Sequence, residues 1–393
     1  MTLTNAIVVS TLAAGQCVLT LSVVNRVLMQ CRDSWHKDLV NLAFGVLMLP
    51  AALTALALGR QSQAVQGLVT LNPQTLGAWA LMALWAVDLA ALGWLAALWV
   101  VVAFRGRKPA GLLEISSRAV FDAPRRGFPG LRVTTEALEL TELSLTLPNL
   151  PDGLDGLQLL HLSDLHCEFA PRVTARAIDV AREIDPDLVA ITGDYIVRSA
   201  APLPEICRQL SRLEPPHGVW TIRGNHDIWH GGPAFAETLA KHGLKPLSNR
   251  AVDIETGRGR LRLIGVEDPW LRVDDWDALI GTNDGECRIV LSHGPDAFRH
   301  IARRGADLTL AGHTHGGQWR APLLGSLVVP SRHGTVYDCG LFQRRGSLLW
   351  VTRGLGCVGV PLRINCPPEM TLLTLRAPRG AAERMETLRE SAA

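Results

Sequence analysis

Five short clusters in this 393-residue chain combine Asp, Asn and His in a way that could hold metal ions. They are Ser163-Asp164-Leu165-His166, Gly193-Asp194, Gly224-Asn225-His226-Asp227, Ser292-His293 and Gly312-His313-Thr314-His315. Carboxylate and amide oxygens mixed with imidazole nitrogens are the donor inventory of hydrolytic transition-metal sites. Neutral imidazole suits Mn, Fe or Zn better than Mg, so a transition metal is expected. Each cluster alone says little. A lone Asp-x-His is usually a turn, Gly-Asp is often a plain loop, and His313 and His315 on an extended segment could serve packing only. Their weight comes from all five occurring in order.

Each cluster directly follows a short apolar run. Leu157 to Leu162, Leu188 to Ile191, Val219 to Ile222, Ile289 to Leu291 and Leu308 to Leu310 read as buried strands. Between them, Arg172 to Ile184 puts Val173, Ala177, Val180, Ala181 and Ile184 on one face of a helix, and Pro295 to Arg304 reads as another. Upstream, Leu138 and Leu140, then Leu143, Leu145 and Leu147, alternate with polar residues as half-buried strands do. Alternating strands and helices predict a layered α/β architecture. The clusters then fall at the C-terminal ends of strands, the edge where open α/β sheets bind ligands.

In this order the clusters resemble the calcineurin-like metallophosphoesterase family, over about residues 157 to 316 by motif. Three later stretches resemble its bacterial membrane-associated YkuE/YaeI-like branch. These are GlyGlyGlnTrpArg at 316–320, ValValProSerArg at 328–332 and ArgIleAsnCysProProGlu at 363–369. The resemblance implies an α/β fold in which a layered β-sandwich is flanked by helices (αββα). It implies one divalent ion held by Asp164, His166, Asp194 and His315, and a second by Asp194, Asn225, His293 and His313, with Asp194 bridging. A shared carboxylate makes physical sense, because two cations about 3.5–4 Å apart need an anion between them. His226 matches the family's catalytic His, whose task would be proton donation to the leaving oxygen, with Asp227 orienting it. Its alternative is a structural imidazole.

Arg223 and Arg363 are candidates to hold substrate phosphate, since guanidinium forks match phosphate oxygens; either could instead form a surface ion pair. The reaction expected is dinuclear-metal-dependent hydrolysis of a phosphodiester or pyrophosphate, on a substrate that is lipid-linked or amphipathic. The alternatives are a phosphomonoesterase acting on a soluble substrate and an inactive metal-dependent scaffold. A scaffold would be expected to have lost His226 or a candidate ligand, and all are present.

The composition changes near Arg105. Before it the chain is rich in Ala, Leu, Val and Trp; after it come most charges and all but one of the twelve His. The net charge of +2 averages two unlike regions and forms no basic stripe, so no nucleic-acid partner is expected. Eight Cys without a CxxC pair or regular spacing suggest reduced thiols and no disulfide framework.

Ala6 to Met29, Leu39 to Leu58 and Leu76 to Phe104 each reach the roughly 20 apolar residues a bilayer span needs, which predicts three membrane helices. No Lys or Arg lies in residues 1–14, which argues against a cleaved signal peptide. Arg32 and Lys37 in the first connection, with Arg105, Arg107 and Lys108 after the third stretch, predict a multi-pass inner-membrane protein whose large domain faces the cytoplasm. Asp88 falls mid-span, as either a functional carboxylate or a protonated, helix-paired one. A single such group offers little of the paired lining a transporter needs. The expected organisation is a membrane region at 1–105, a connector with leading strands at 106–150, the hydrolase domain at 151–378 and a polar tail at 379–393.

Overall fold

The computed structural model describes residues 111–378, apart from 122–125, 129, 268–272, 274, 282–284, 323–324 and 327, together with Ala86 and Gly93. The three apolar stretches, Asp88 and the tail lie outside the described residues, save those two positions. Among the described residues no helix is long and apolar enough to cross a membrane.

The apolar positions of the strand Leu138–Thr146 change phase: Leu138 and Leu140 enter one core, Leu143 and Leu145 another. Because strand side chains alternate faces, both faces of this strand are covered, where half-burial was expected. Gln158–Leu162 follows the same rule, with Leu160 and Leu162 on one side and Leu159 on the other. These strands belong to a sheet that lies inside the molecule.

That sheet has seven strands in the order Leu112–Phe121, Leu138–Thr146, Glu369–Arg376, Gln158–Leu162, Leu188–Ile191, Val219–Thr221 and Lys245–Pro246. A second sheet has six, in the order Gly340–Arg344, Ser347–Val351, Leu308–Ala311, Arg288–Ser292, Arg260–Val266 and Ala251–Glu255. Leu143, Leu159 and Leu373 of the first sheet pack with Leu263, Leu291 and Leu310 of the second, so the main apolar core lies between them. Helices Pro171–Ile184, Leu203–Leu210 and Phe235–Lys241 bury Ala177, Ile206 and Leu239 against the outer face of the first sheet. Trp276–Ile280 and Phe298–Ala302 cover the second sheet through Ile280, Ile301 and Phe298. The result is the expected αββα layering.

The helix Pro171–Ile184 starts with Pro, whose missing N–H is not needed in a first turn, and stops at Asp185 in the left-handed region (φ 52°). The segment expected as one helix from Pro295 to Arg304 is shorter and split. A 3₁₀ turn at Pro295–Ala297 leads into an α-helix at Phe298–Ala302.

Within the first sheet Gln158–Leu162, Leu188–Ile191 and Val219–Thr221 run parallel. Within the second, Arg260–Val266, Arg288–Ser292, Leu308–Ala311 and Ser347–Val351 do too. The clusters therefore all leave from the C-terminal ends of parallel strands, three from one sheet and two from the other.

Candidate metal centre

Leaving a strand and turning a side chain back into one point requires unusual backbone. Asp164 (φ 51°), His166 (38°), Asp194 (56°), His313 (69°) and His315 (52°) all lie in the left-handed region. Asp and His tolerate that region better than most residues, but non-glycine residues there still cost of order 1–3 kcal/mol each. So many in one place marks a site where geometry has been favoured over relaxed backbone. Glycines supply the remaining room: a Cβ at Gly224 would collide with Asp194 Oδ1 and the His293 ring, and one at Gly312 with Ser163 Oγ and Asp164 Oδ2.

Three overlapping trios of donor atoms result among the described residues: Asp164, His166 and His315; Asp194, His293 and His313; and, sharing a member with each, His166, Asp194 and His226; within each, donor atoms lie within 4.8 Å of one another. The first two belong to the ligand groups the sequence predicts. In the first, His315 Nε2 is 3.4 Å from Asp164 Oδ1 and the His166 and His315 rings stack at 5.1 Å. In the second, His293 Nε2 is 3.0 Å from Asn225 Oδ1 and 3.1 Å from His313 Nδ1. Asp194 joins the two. Its Oδ1 accepts the backbone N–H of His226 at 2.9 Å, while Oδ2 stands 3.6 Å from His166 Nε2 and 3.2 Å from His293 Nε2. A single oxygen thus faces both groups.

The rings are aimed by backbone carbonyls. His166 Nδ1 donates to Ile196 O at 3.0 Å and His293 Nδ1 to Thr192 O at 2.7 Å, which turns Nε2 of each towards the centre. His166 Nε2 is buried and has no hydrogen-bond partner. Ligand atoms about 2.0–2.2 Å from a shared cation lie roughly 3.0–3.5 Å apart, which is the spacing seen between these donors. The residues therefore fit divalent ions.

The electrostatics differ between the groups: burial lowers His293, but Asp194 and Asp164 outweigh it and raise the ring to about 10, so a cation there would have to displace its proton. Burial lowers His166 to about 3, with Asp194 only partly opposing, and burial with His166 and Arg363 nearby holds His315 well below the usual range. Both rings are neutral and have a lone pair to give. Burial, opposed by His293 and aided by Asp194, raises Asp164 to about 6. Burial also pushes Asp194 up, but His293 and His226 outweigh it and hold it well below the usual range. Two buried carboxylates this close call for positive charge between them.

Three expected roles change. Asp227 does not orient His226: its two oxygens accept the backbone N–H groups of Asp194 (2.8 Å), Gly224 (2.9 Å), Tyr195 (2.9 Å) and Ile196 (3.4 Å). It ties two cluster loops together. The His226 ring is instead set by Val197 O, 2.6 Å from Nδ1. Arg363 is not placed to hold phosphate, nor is it a surface residue. It is fully buried, and its guanidinium donates to the carbonyls of Arg353, Gly354, Gly356 and Cys366 and reaches within 3.4 Å of His315 Nδ1. Arg223 closes its fork on Glu267, with Nε and Nη2 2.9 and 2.7 Å from the carboxylate oxygens. That pair is partly buried, not superficial, and the Nε and Nη2 edge is taken. The carbonyls of Thr192, Ile196 and Val197 were invisible in the sequence, since a carbonyl has no side-chain signature; their only hint was lying just after Gly193-Asp194 or beside it.

Residues 157–317 match the family model described as calcineurin-like phosphoesterase. The chain is similar to metallophosphoesterase YkuE of Bacillus subtilis (strain 168), 30% identical over 255 residues that cover 61% of this chain and 86% of that one. It is similar to phosphodiesterase YaeI of Escherichia coli (strain K12), 31% identical over 244 residues, covering 57% and 84%. A transmembrane protein with metallophosphoesterase domain from Danio rerio is 28% identical over 267 residues, covering 63% and 59%.

Proposed function

The chain belongs to the calcineurin-like metallophosphoesterases, metal-dependent phosphoester hydrolases, and we propose that it cleaves phosphodiester or pyrophosphate bonds at the centre built around Asp194. The observation that carries this reading is Asp194 Oδ2 standing 3.6 Å from His166 Nε2 on one side and 3.2 Å from His293 Nε2 on the other, so that one oxygen lies between the two ligand groups. Asp164, His166, Asp194 and His315 would hold one divalent ion; Asp194, Asn225, His293 and His313 would hold the other. The imidazole share favours Mn, Fe or Zn. When bound, such a pair supplies a nucleophile ionised at neutral pH and offsets charge on the phosphoryl oxygens.

The chain's own residues do the rest. Asp194 is kept ionised by the imidazoles around it and held in place by the His226 amide. His226 is only partly buried, and its ring lies 4.9 Å from that of His166, edge to face. Val197 O engages Nδ1 of the ring, and delivery of a proton to the leaving oxygen is assigned to Nε2. Similarity to a phosphodiesterase supports a diester, and the bilayer-length apolar stretches before Arg105 support a membrane-anchored enzyme acting on an amphipathic or lipid-linked substrate from the cytoplasmic side.

The test is a substrate comparison with metal-loaded, purified full chain. Bis-p-nitrophenyl phosphate and a nucleotide-linked lipid pyrophosphate should be turned over, with p-nitrophenyl phosphate a poorer substrate. Hydrolysis confined to the monoester would sink the diester reading.

A further inference from the structure

The loop at 194–198 belongs to no helix or strand, so its backbone N–H groups need partners from elsewhere. Asp227 accepts those of Asp194, Tyr195 and Ile196. Glu168, two residues beyond His166, accepts the next two. Its two oxygens lie 2.9 and 3.0 Å from Val197 N, and Oε1 is also 3.4 Å from Arg198 N. Successive amides of one loop are thus held by two carboxylates, each from a neighbouring cluster loop.

The carbonyls of the same loop hold imidazoles. His166 Nδ1 lies 3.0 Å from Ile196 O, and His226 Nδ1 lies 2.6 Å from Val197 O. A peptide group is planar and stiff, so its N–H and C=O move together. The group between Ile196 and Val197 therefore links Glu168 to His166, and the group between Val197 and Arg198 links Glu168 to His226. Hydrogen bonds in such a series strengthen one another. A surface carboxylate is ordinarily met by water or by a loose ion pair. Glu168 is exposed as a residue, yet its oxygens are turned to the backbone that sets these two rings.

We propose that Glu168 is a positioning residue for the reaction: by bracing Val197 and Arg198 it holds the carbonyl that aims His226. This role rests on the reading of His226 as proton donor. The donor must come within hydrogen-bond reach of the leaving oxygen, and a misplacement of about 1 Å can cost on the order of 10²-fold. His166 is the less exposed of the two rings to loss of the brace, because the ion assigned to it would fix its Nε2 as well. Removing the Glu168 carboxylate should therefore act mainly through His226.

The test uses the purified, metal-loaded full chain carrying Glu168→Ala or Glu168→Gln. Glutamine can keep an oxygen where Oε1 accepts both amides; alanine keeps none. Turnover is compared on bis-p-nitrophenyl phosphate and on diphenyl phosphate, whose phenolate leaves less readily without a proton. Glu168→Ala should lower kcat about tenfold or more on diphenyl phosphate and about threefold or less on the nitrophenyl ester, with KM little changed and bound metal as in wild type. Glu168→Gln should recover most of the loss. Added to His226→Gln, the alanine substitution should cost little more, since an absent donor cannot be misplaced. Hydrogen exchange gives a readout that needs no turnover. The Val197 and Arg198 amides should exchange about tenfold or more faster in Glu168→Ala, while those of Asp194 and Tyr195, held by Asp227, should not. Equal loss on the two esters, glutamine no better than alanine, or Val197 and Arg198 amides that exchange as in wild type would overturn the proposal. If His226→Gln shows the leaving-group effect and Glu168→Ala does not, Glu168 alone is withdrawn. If His226→Gln lacks it, the proton-donor reading falls and this role with it.

Discussion

Asp194→Asn is expected to lower turnover by more than the roughly 10²–10³-fold that loss of a single preorganised stabiliser costs, because two cations lose their common anion at once. The amide oxygen can still accept the His226 N–H, so the loop keeps its anchor. At the Oδ2 position, however, a neutral NH₂ would point donors at His166 Nε2 and His293 Nε2, where a negative acceptor is needed. Metal content should therefore fall with activity while the thermal midpoint measured without metal changes little. Retention of both metals by Asp194→Asn would remove this residue from the bridging position.

His226→Gln should fail for a different reason. The ring is steered by Val197 O and packs edge-to-face on His166, but the ions are assigned to other donors, so both metals should stay bound. Loss of a general acid typically costs about 10² to 10⁴ in rate, and the loss should approach that range for an alkyl or sugar leaving group. It should shrink towards nothing for p-nitrophenolate, which departs without a proton. Rates on the two ester types, read beside metal analysis, separate the roles. Equal loss on both esters, or loss of metal, would withdraw His226 from proton donation.

The part of this site that could be read from sequence is the part written in side chains. Asp164, His166, Asp194, Asn225, His293, His313 and His315 each follow an apolar run, and parallel strands of that length deliver their C-terminal residues to one edge whatever the details of packing. Spacing therefore carried the site across two sheets. What could not be read is what the backbone does there. The carbonyls of Thr192, Ile196 and Val197 that aim three imidazoles have no signature in residue type, and Asp227 looked like a partner of His226 because it is next to it in sequence. In the structure its side chain turns to four amides of neighbouring loops, since an unpaired buried N–H costs about 1–3 kcal/mol and a carboxylate can satisfy several. Arg363 was misplaced for a related reason. A guanidinium suits phosphate and carbonyls alike, and only the surrounding loop at 353–356, with Cys366, decides which it meets. The phase change between Leu140 and Leu143 was visible in the sequence, and it was the sign that the first sheet is covered on both faces.

The central claim is that one carboxylate oxygen organises two divalent ions for phosphoester hydrolysis. The most direct measurement strips the purified full chain of metal and titrates Mn, Fe or Zn back while following bis-p-nitrophenyl phosphate turnover and bound metal together. The metal-free chain should be inactive, with turnover rising to a plateau only as a second equivalent per chain is bound. Full activity in the exhaustively stripped chain, or a plateau reached at one equivalent, would contradict it.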